Sequence, residues 1–211
     1  MKITSITPQK KRQGRSSVFI DGEFAFGLDN CDLDKLAIFE GMEITQEKID
    51  NILNEKVFFD AREAALRYLS YKPRTMRELE TKLAQIGYQG AVIAKVINLM
   101  VKYGYIDDKQ YTNDYINSRI RMGNYGLYRI KNELRKKGVD IEIIENGINS
   151  LENGYDEVLA IMGVLKQKKF DAKNIDGREL KRYTDMLARR GFSYASIRKG
   201  VNGFLEGICD E

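Results

Sequence analysis

The sequence predicts a mainly α-helical protein: three tandem three-helix, helix-turn-helix-like repeats in an elongated, curved array, preceded by a small antiparallel β-hairpin or sheet. Three observations carry that expectation. One set of apolar offsets recurs around Gly87, Gly138 and Gly191, which lie 51 and 53 residues apart. An Asp21-Gly22 pair separates two apolar runs near the N-terminus. Only two prolines, Pro8 and Pro73, occur in 211 residues, leaving long stretches free to be helical.

The repeat is read by counting from each glycine. Eight residues before stand Leu79, Ile130 and Tyr183, and four before stand Leu83, Leu134 and Leu187. Six after come Ile93, Ile144 and Ile197; ten after, Ile97, Ile148 and Val201; thirteen after, Met100, Leu151 and Phe204. Two leucine-like positions four apart and a glycine four further on describe an apolar helix stripe closed by a C-terminal glycine, and the later offsets resume helical spacing. Units of this kind stack on their neighbours and leave one extended face for binding. The expected division is a hairpin region with a short helix at 1–44, a first repeat with its leading helix at 45–106, a second at 107–154 and a third at 155–211.

Composition narrows the function. A hydrophobic content of 43% and a charged content of 31% suit a soluble helical protein. Neither a membrane span nor a signal peptide is readable, and Cys31 and Cys209 match no metal spacing, so reduced thiols and a cytoplasmic location are expected. The chain contains no histidine, which removes the commonest general base, the Ser-His and Cys-His pairs and the commonest metal ligand. No catalytic residue, cofactor or metal site is expected, and the chain reads as a non-enzyme.

The net charge of +4 is unevenly spread. Residues 115–138 carry 7 basic side chains against one acidic, 139–161 carry 6 acidic and none basic, and 162–200 carry 11 basic against 4 acidic. Basic faces recurring at intervals fit a polyanion or an acidic protein groove; solvated helix faces are the plainer account of any single cluster.

Taken in order, Val18 to Ile20 and Phe24 to Phe26 flank the Asp-Gly turn, both of whose residues must tolerate positive φ. Phe19 then faces Phe24, and period-two counting puts Phe26 on the same side as Phe24. An isolated hairpin is marginal in water, so residues 2–7 are expected to add a third strand. The Lys10–Arg15 loop is either a phosphate-contacting tip or a solvated turn. A short helix from Asp32 to Ala37 stops at Gly41, and Thr45 opens a helix that runs to Leu69 with a break near Asn54–Glu55 and ends before Pro73.

Thr75-Met76-Arg77-Glu78 is a capping box for the first repeat. At its end, Gly104-Tyr105-Ile106-Asp107-Asp108 supplies a C-cap, a core residue and an N-cap; two adjacent carboxylates lack the ligand count for a metal. In the second repeat Gly123 and Gly126 lack the strand and the Gly-Lys-Ser/Thr of a phosphate loop, so a flexible connector is expected there. The third repeat takes Leu159, Met162, Val164 and Leu165 on its first helix. Asp176 with Glu179 starts the next, and a final helix runs from Ala195 to Leu205.

Several of these pieces, in this order and spacing, resemble the RecX family of recombinase regulators. The carriers are Ala65-Leu66-Arg67-Tyr68-Leu69, Arg77-Glu78-Leu79 with Leu83 and Gly87, Gly104 to Asp108, Ile130 to Gly138, and Arg189-Arg190-Gly191-Phe192-Ser193-Tyr194. The resemblance covers residues 60–206. It implies tandem three-helix repeats that bind the RecA–DNA nucleoprotein filament in its helical groove and modulate RecA's ATPase and strand-exchange activities, with inhibition the usual outcome, in recombination, DNA repair and the SOS response.

The implied partners are the RecA filament and the phosphates of single- or double-stranded DNA, with no membrane and no symmetry partner. Arg119, Arg121, Arg129, Arg135, Lys136, Lys137, Lys168, Lys169, Arg189, Arg190 and Arg198 are the expected filament- and DNA-binding side chains. The competing reading is a sequence-independent DNA-binding protein that uses the same basic helices without RecA.

Overall fold

In the computed structural model, which describes residues 1–10, 13–123, 125–151, 154–168, 170 and 175–206, the N-terminal chain forms a three-stranded antiparallel sheet. Its strands are β1 (Ile3–Pro8), β2 (Arg15–Ile20) and β3 (Glu23–Asp29), ordered β1-β2-β3. Asp21 (φ 49°) and Gly22 (φ 90°) make the β2–β3 turn with both residues at positive φ, matching the right-handed twist of the strands.

The register corrects the expectation for Phe26. Phe19 faces Phe24, with ring centroids 5.8 Å apart, but the register slips after it, so that Val18 faces Phe26 and Ala25 is the extra residue. Such a bulge reverses the alternation on one strand. Phe26 therefore turns into the core at 1% exposure while Phe24 stays 39% exposed.

The chain divides into two compact units, Met1–Asp107 and Asp108–Glu211. In the first, the sheet is followed by α1 (Asn30–Lys35), α2 (Gln46–Asn51), a π-helical turn (Ile52–Val57), α3 (Phe58–Leu69), α4 (Met76–Ile86) and α5 (Gly90–Lys102). Two boundaries differ from expectation. The helix α1 ends at left-handed Ala37 (φ 50°), whose neighbour Ile38 donates its N–H back to Leu33 O, before Gly41 is reached. The expected break near Asn54–Glu55 is the π turn, which shifts the apolar phase and keeps the helix unbroken.

One core fills this unit. Ile3, Val18, Phe26 and Leu28 of the sheet pack in the same cluster as Ala61 and Ala65 of α3, Leu79 and Leu83 of α4 and Met100 of α5. The loop after α4 covers the other face of the sheet. Tyr88 lies under the Arg15 guanidinium, 4.7 Å from carbon to ring centroid, and the Gln89 side-chain amide donates to Ala25 O. Arg15 is 1% exposed, donating to Gly27 O (2.7 Å) and pairing with Asp29 (3.2 Å). Of the two readings of the Lys10–Arg15 loop, Arg15 follows neither, because its charge is spent holding the sheet; Lys11 and Arg12 lie outside the described residues.

The second unit holds α6 (Asp108–Arg121), α7 (Leu127–Lys136) and α8 (Ile141–Asn149), then α9 (Glu157–Gln167), α10 (Gly177–Arg189) and α11 (Tyr194–Leu205). Each trio has its own core: Ile116, Ile130, Leu134, Val139 and Ile144 in one, and Ile161, Leu165, Phe170, Leu187, Ile197 and Val201 among the residues of the other. None of the fifteen apolar offset positions is exposed, so the repeated pattern is scaffold. Leu159, by contrast, is 66% exposed, and Ile161 takes the core place.

A size exchange accompanies the repeat. Nine residues after the anchor glycines stand Val96, Gly147 and Gly200. In the last two, a Cβ would crowd Thr112 and Ile116 on α6, or Ile161 on α9. The first repeat reverses the sizes, with Val96 on α5 and Ala61 and Ala65 on the facing α3, a volume-conserving solution.

Candidate nucleic-acid interface

The second and third repeats meet through backbone. Gly126 donates its N–H to Arg190 O (3.0 Å), and Tyr128 donates to Gly191 O (3.2 Å). A Cβ on Gly126 would overlap the Gly191 carbonyl, and one on Gly191, itself at φ +84°, would overlap Arg129. The expected flexible connector is thus, at Gly126, a buried packing point; Asn124 lies outside the described residues.

Glu157 locks this contact. One carboxylate oxygen accepts from Leu127 N–H at the start of α7, and the other from Ser193 N–H at the start of α11, both at 3.1 Å. Gly126, the N-cap of α7, has no side chain to serve the helix's first amides, and an anion at two helix N-termini is favoured by both dipoles. Beside it the Tyr155 hydroxyl donates to Tyr125 O (2.8 Å). Burial first, and then the Glu157 charge, push the Tyr155 phenol up to about 12.

Around this junction the predicted basic residues divide into groups. Arg119 and Arg129 share one carboxylate, Glu133, at 3.3 and 3.0 Å, and both guanidiniums lie on the Tyr125 ring. The Tyr115 hydroxyl donates to Glu133 (2.6 Å) and accepts from Arg119 (2.9 Å). Burial works against the Glu133 charge, yet the hydrogen bonds from Tyr115 and Arg129 outweigh it and hold this carboxyl below its ordinary value. Burial, then the bond to Glu133, raises Tyr115, and the bond with Tyr115 raises Arg119. Two guanidiniums on one carboxylate leave a net positive cluster.

Arg129 also lines a pocket of about 370 Å³ with Tyr125, Gln167, Lys168 and Arg190. Its cations come from the first turn of α7 and the C-terminal ends of α9 and α10, so only the fold brings them together. Among the described residues, the other predicted ones are not part of that lining. Arg121, Arg135, Lys136, Arg189 and Arg198 are exposed on their helices, and Lys137 is half-buried with its ammonium 5.6 Å from the centroid of the Tyr111 ring. Lys169 lies outside the described residues.

Four acidic residues of the stretch between the basic ones have partners in the fold, although Asp140 and Asp156 stay exposed. Asp140 and Asp156 cap α8 and α9, Glu157 bridges two helix starts, and Glu145 pairs with Lys131 at 2.8 Å. Sequence reasoning missed Tyr125, Glu133, Gln167 and Glu157. Glu133 was findable as the i+4 partner of Arg129; Glu157 reaches residues 30 and 36 positions away and leaves no local signal.

Three profiles of one family match the chain: the regulatory protein RecX N-terminal domain over residues 1–45, the RecX first three-helix domain over 61–98 and the RecX second three-helix domain over 107–148. Regulatory protein RecX of Caldanaerobacter subterraneus subsp. tengcongensis is 33% identical over 202 residues, spanning 96% of this chain and 99% of the relative. This chain belongs to the RecX family.

Regulatory protein RecX of Lactobacillus delbrueckii subsp. bulgaricus is 30% identical over 99% of this chain and 76% of that protein. The crystal structure of RecX from Lactobacillus salivarius superposes with a TM-score of 0.62 at 26% identity, covering 71% of this chain and 96% of that one. A second RecX crystal structure, at 23% identity and a TM-score of 0.61 over 98% of both chains, shares the fold. The RecX likeness reaches beyond residues 60–206, since the sheet region has its own place in the family. No helix among the described residues is long and apolar enough to cross a membrane.

Proposed function

We propose that this chain binds the RecA–DNA nucleoprotein filament in its groove and inhibits RecA's ATPase and strand-exchange activities, as a cytoplasmic regulator of recombination and DNA repair. Membership in a family of regulatory proteins supports the class of activity. The observation that carries the reading is the set of exposed cations in the second unit: Arg121, Arg135, Lys136, Arg189 and Arg198 recur at intervals on its helices. Recurring exposed cations attract phosphate, and repeats joined through backbone hydrogen bonds suit a periodic partner. Binding is the role of every residue named; none acts in bond chemistry.

The test is RecA's DNA-dependent ATP hydrolysis at substoichiometric amounts of this protein. Inhibition well below the level that coats the DNA is the expected result. Inhibition that appears only when the DNA is saturated would assign the basic helices to DNA alone. In the same assay, Arg135→Glu with Lys136→Glu should weaken inhibition at low salt and less so at high salt, with the helical content unchanged. Lys137 is left intact because it packs over Tyr111.

A further inference from the structure

We propose that the pocket formed by Arg129, Lys168 and Arg190 seats one phosphodiester group of a DNA strand, an assignment that rests on the nucleic-acid half of the function above. The three cations arrive from three elements and line one concavity whose described lining contains no carboxylate. Lys168 and Arg190 each close a helix C-terminus, where the dipole favours a cation, so either alone has a structural explanation. Arg129 has none of that kind. It sits in the first turn of α7, where the dipole opposes positive charge.

Arg129 is also held ready. Glu133 takes its Nε at 3.0 Å, and the Tyr125 ring supports its plane, with 4.4 Å from the guanidinium carbon to the centroid. A fixed, planar guanidinium matches the oxygen pairs of a phosphate, while the flexible Lys168 ammonium in the same lining supplies a point charge. The pocket's 370 Å³ equals the volume of on the order of a dozen waters at roughly 30 Å³ each, enough for a phosphate still attached to its chain. The Gly126 N–H bond to Arg190 O keeps the start of α7 in register with the end of α10.

The experiment measures binding of a labelled single-stranded oligonucleotide by the full-length protein across a salt series. Lys168→Gln is compared with Lys166→Gln, an equal charge change on the same helix but outside the pocket lining. Lys168→Gln should weaken binding about threefold to tenfold at low salt, for every oligonucleotide sequence, and reduce the salt slope by about 0.7. Lys166→Gln should leave both nearly unchanged.

Equal losses in the two variants would overturn the seat, because charge alone would then account for the binding. Unchanged oligonucleotide affinity in Lys168→Gln, together with weaker inhibition of RecA, would overturn it in favour of a protein carboxylate in the pocket. A wild-type protein without effect on RecA, but with the contrast between the two variants preserved, would end the filament reading and leave the phosphate seat standing.

Discussion

Replacing Gly126 by alanine places a methyl group inside the van der Waals envelope of the Gly191 carbonyl and the Phe192 amide. Ordinary Cβ contact begins near 3.4 Å, so the two segments must part by more than about 1 Å, in a region too tightly packed to give way locally. That movement breaks the bonds from Gly126 N–H to Arg190 O and from Tyr128 N–H to Gly191 O, and pulls Glu157 off one of its two helix starts.

Two neutral hydrogen bonds at about 1 kcal/mol each, and one to a charged carboxylate at about 1.5 kcal/mol, sum to roughly 3.5 kcal/mol. The stiffer unfolded chain returns about 0.4–1 kcal/mol, because Gly126 itself lies at φ −76°, which alanine accepts. The net loss is on the order of 3 kcal/mol, a fall of about 10 °C or more in the unfolding midpoint of the second unit.

Gly163 supplies the opposite sign. It is exposed within α9, and a Cβ there meets no atom within 4 Å, so Gly163→Ala should stabilise by about 0.5–1 kcal/mol. Thermal and urea unfolding followed by circular dichroism, with hydrogen exchange over residues 125–206 to locate the change, measure both variants. A Gly126→Ala protein as stable as the wild type, or more stable, would refute the backbone junction.

Two other perturbations probe the same architecture. Tyr155 has its phenol raised from 10.0 to about 12, so the folded state holds that proton more tightly than the unfolded chain. The associated stability is complete below pH 10 and is lost as the pH rises toward 12; Tyr155→Phe should remove this limb from the stability–pH curve, and a spectrophotometric titration should lose a late-ionising tyrosine in that variant. In the first unit, Arg15→Ala takes away a buried guanidinium, the bond to Gly27 O and the partner of Asp29, which should cost about 3 kcal/mol and expose β2 and β3 to hydrogen exchange. Arg15→Lys should recover little, since a lysine cannot serve Gly27, Asp29 and Tyr88 with one planar group.

Where sequence reasoning erred, the cause was a term that a single chain's periodicity does not carry. Phe26 was assigned to the wrong face because a one-residue bulge at Ala25 inverts every later side chain of the strand. The break expected near Asn54 turned out to be a π turn, which preserves helical hydrogen bonding while shifting phase. Gly126 read as punctuation because a glycine that permits backbone contact looks, in sequence, like one that permits bending.

Most helix caps and the hairpin turn were legible, although the stop of α1 at left-handed Ala37 was not. The capping box at Thr75–Glu78, the Asp176 and Thr45 caps, the left-handed Gly87 and the Asp-Gly turn each involve residues within a few positions, so the sequence alone determined the elements, their order and the threefold apolar scaffold. The candidate site is another matter. Eleven basic residues could be named from composition and resemblance, but their sorting could not. Arg119 and Arg129 share Glu133, Lys137 lies over Tyr111 and Tyr115, and Arg129, Lys168 and Arg190 converge on one pocket only after Glu157 and the two glycines have joined the repeats. Caps and periodicity are short-range and written in order along the chain. Which charges neutralise one another and which remain for a partner depends on distances between helices, and those exist only in the folded protein.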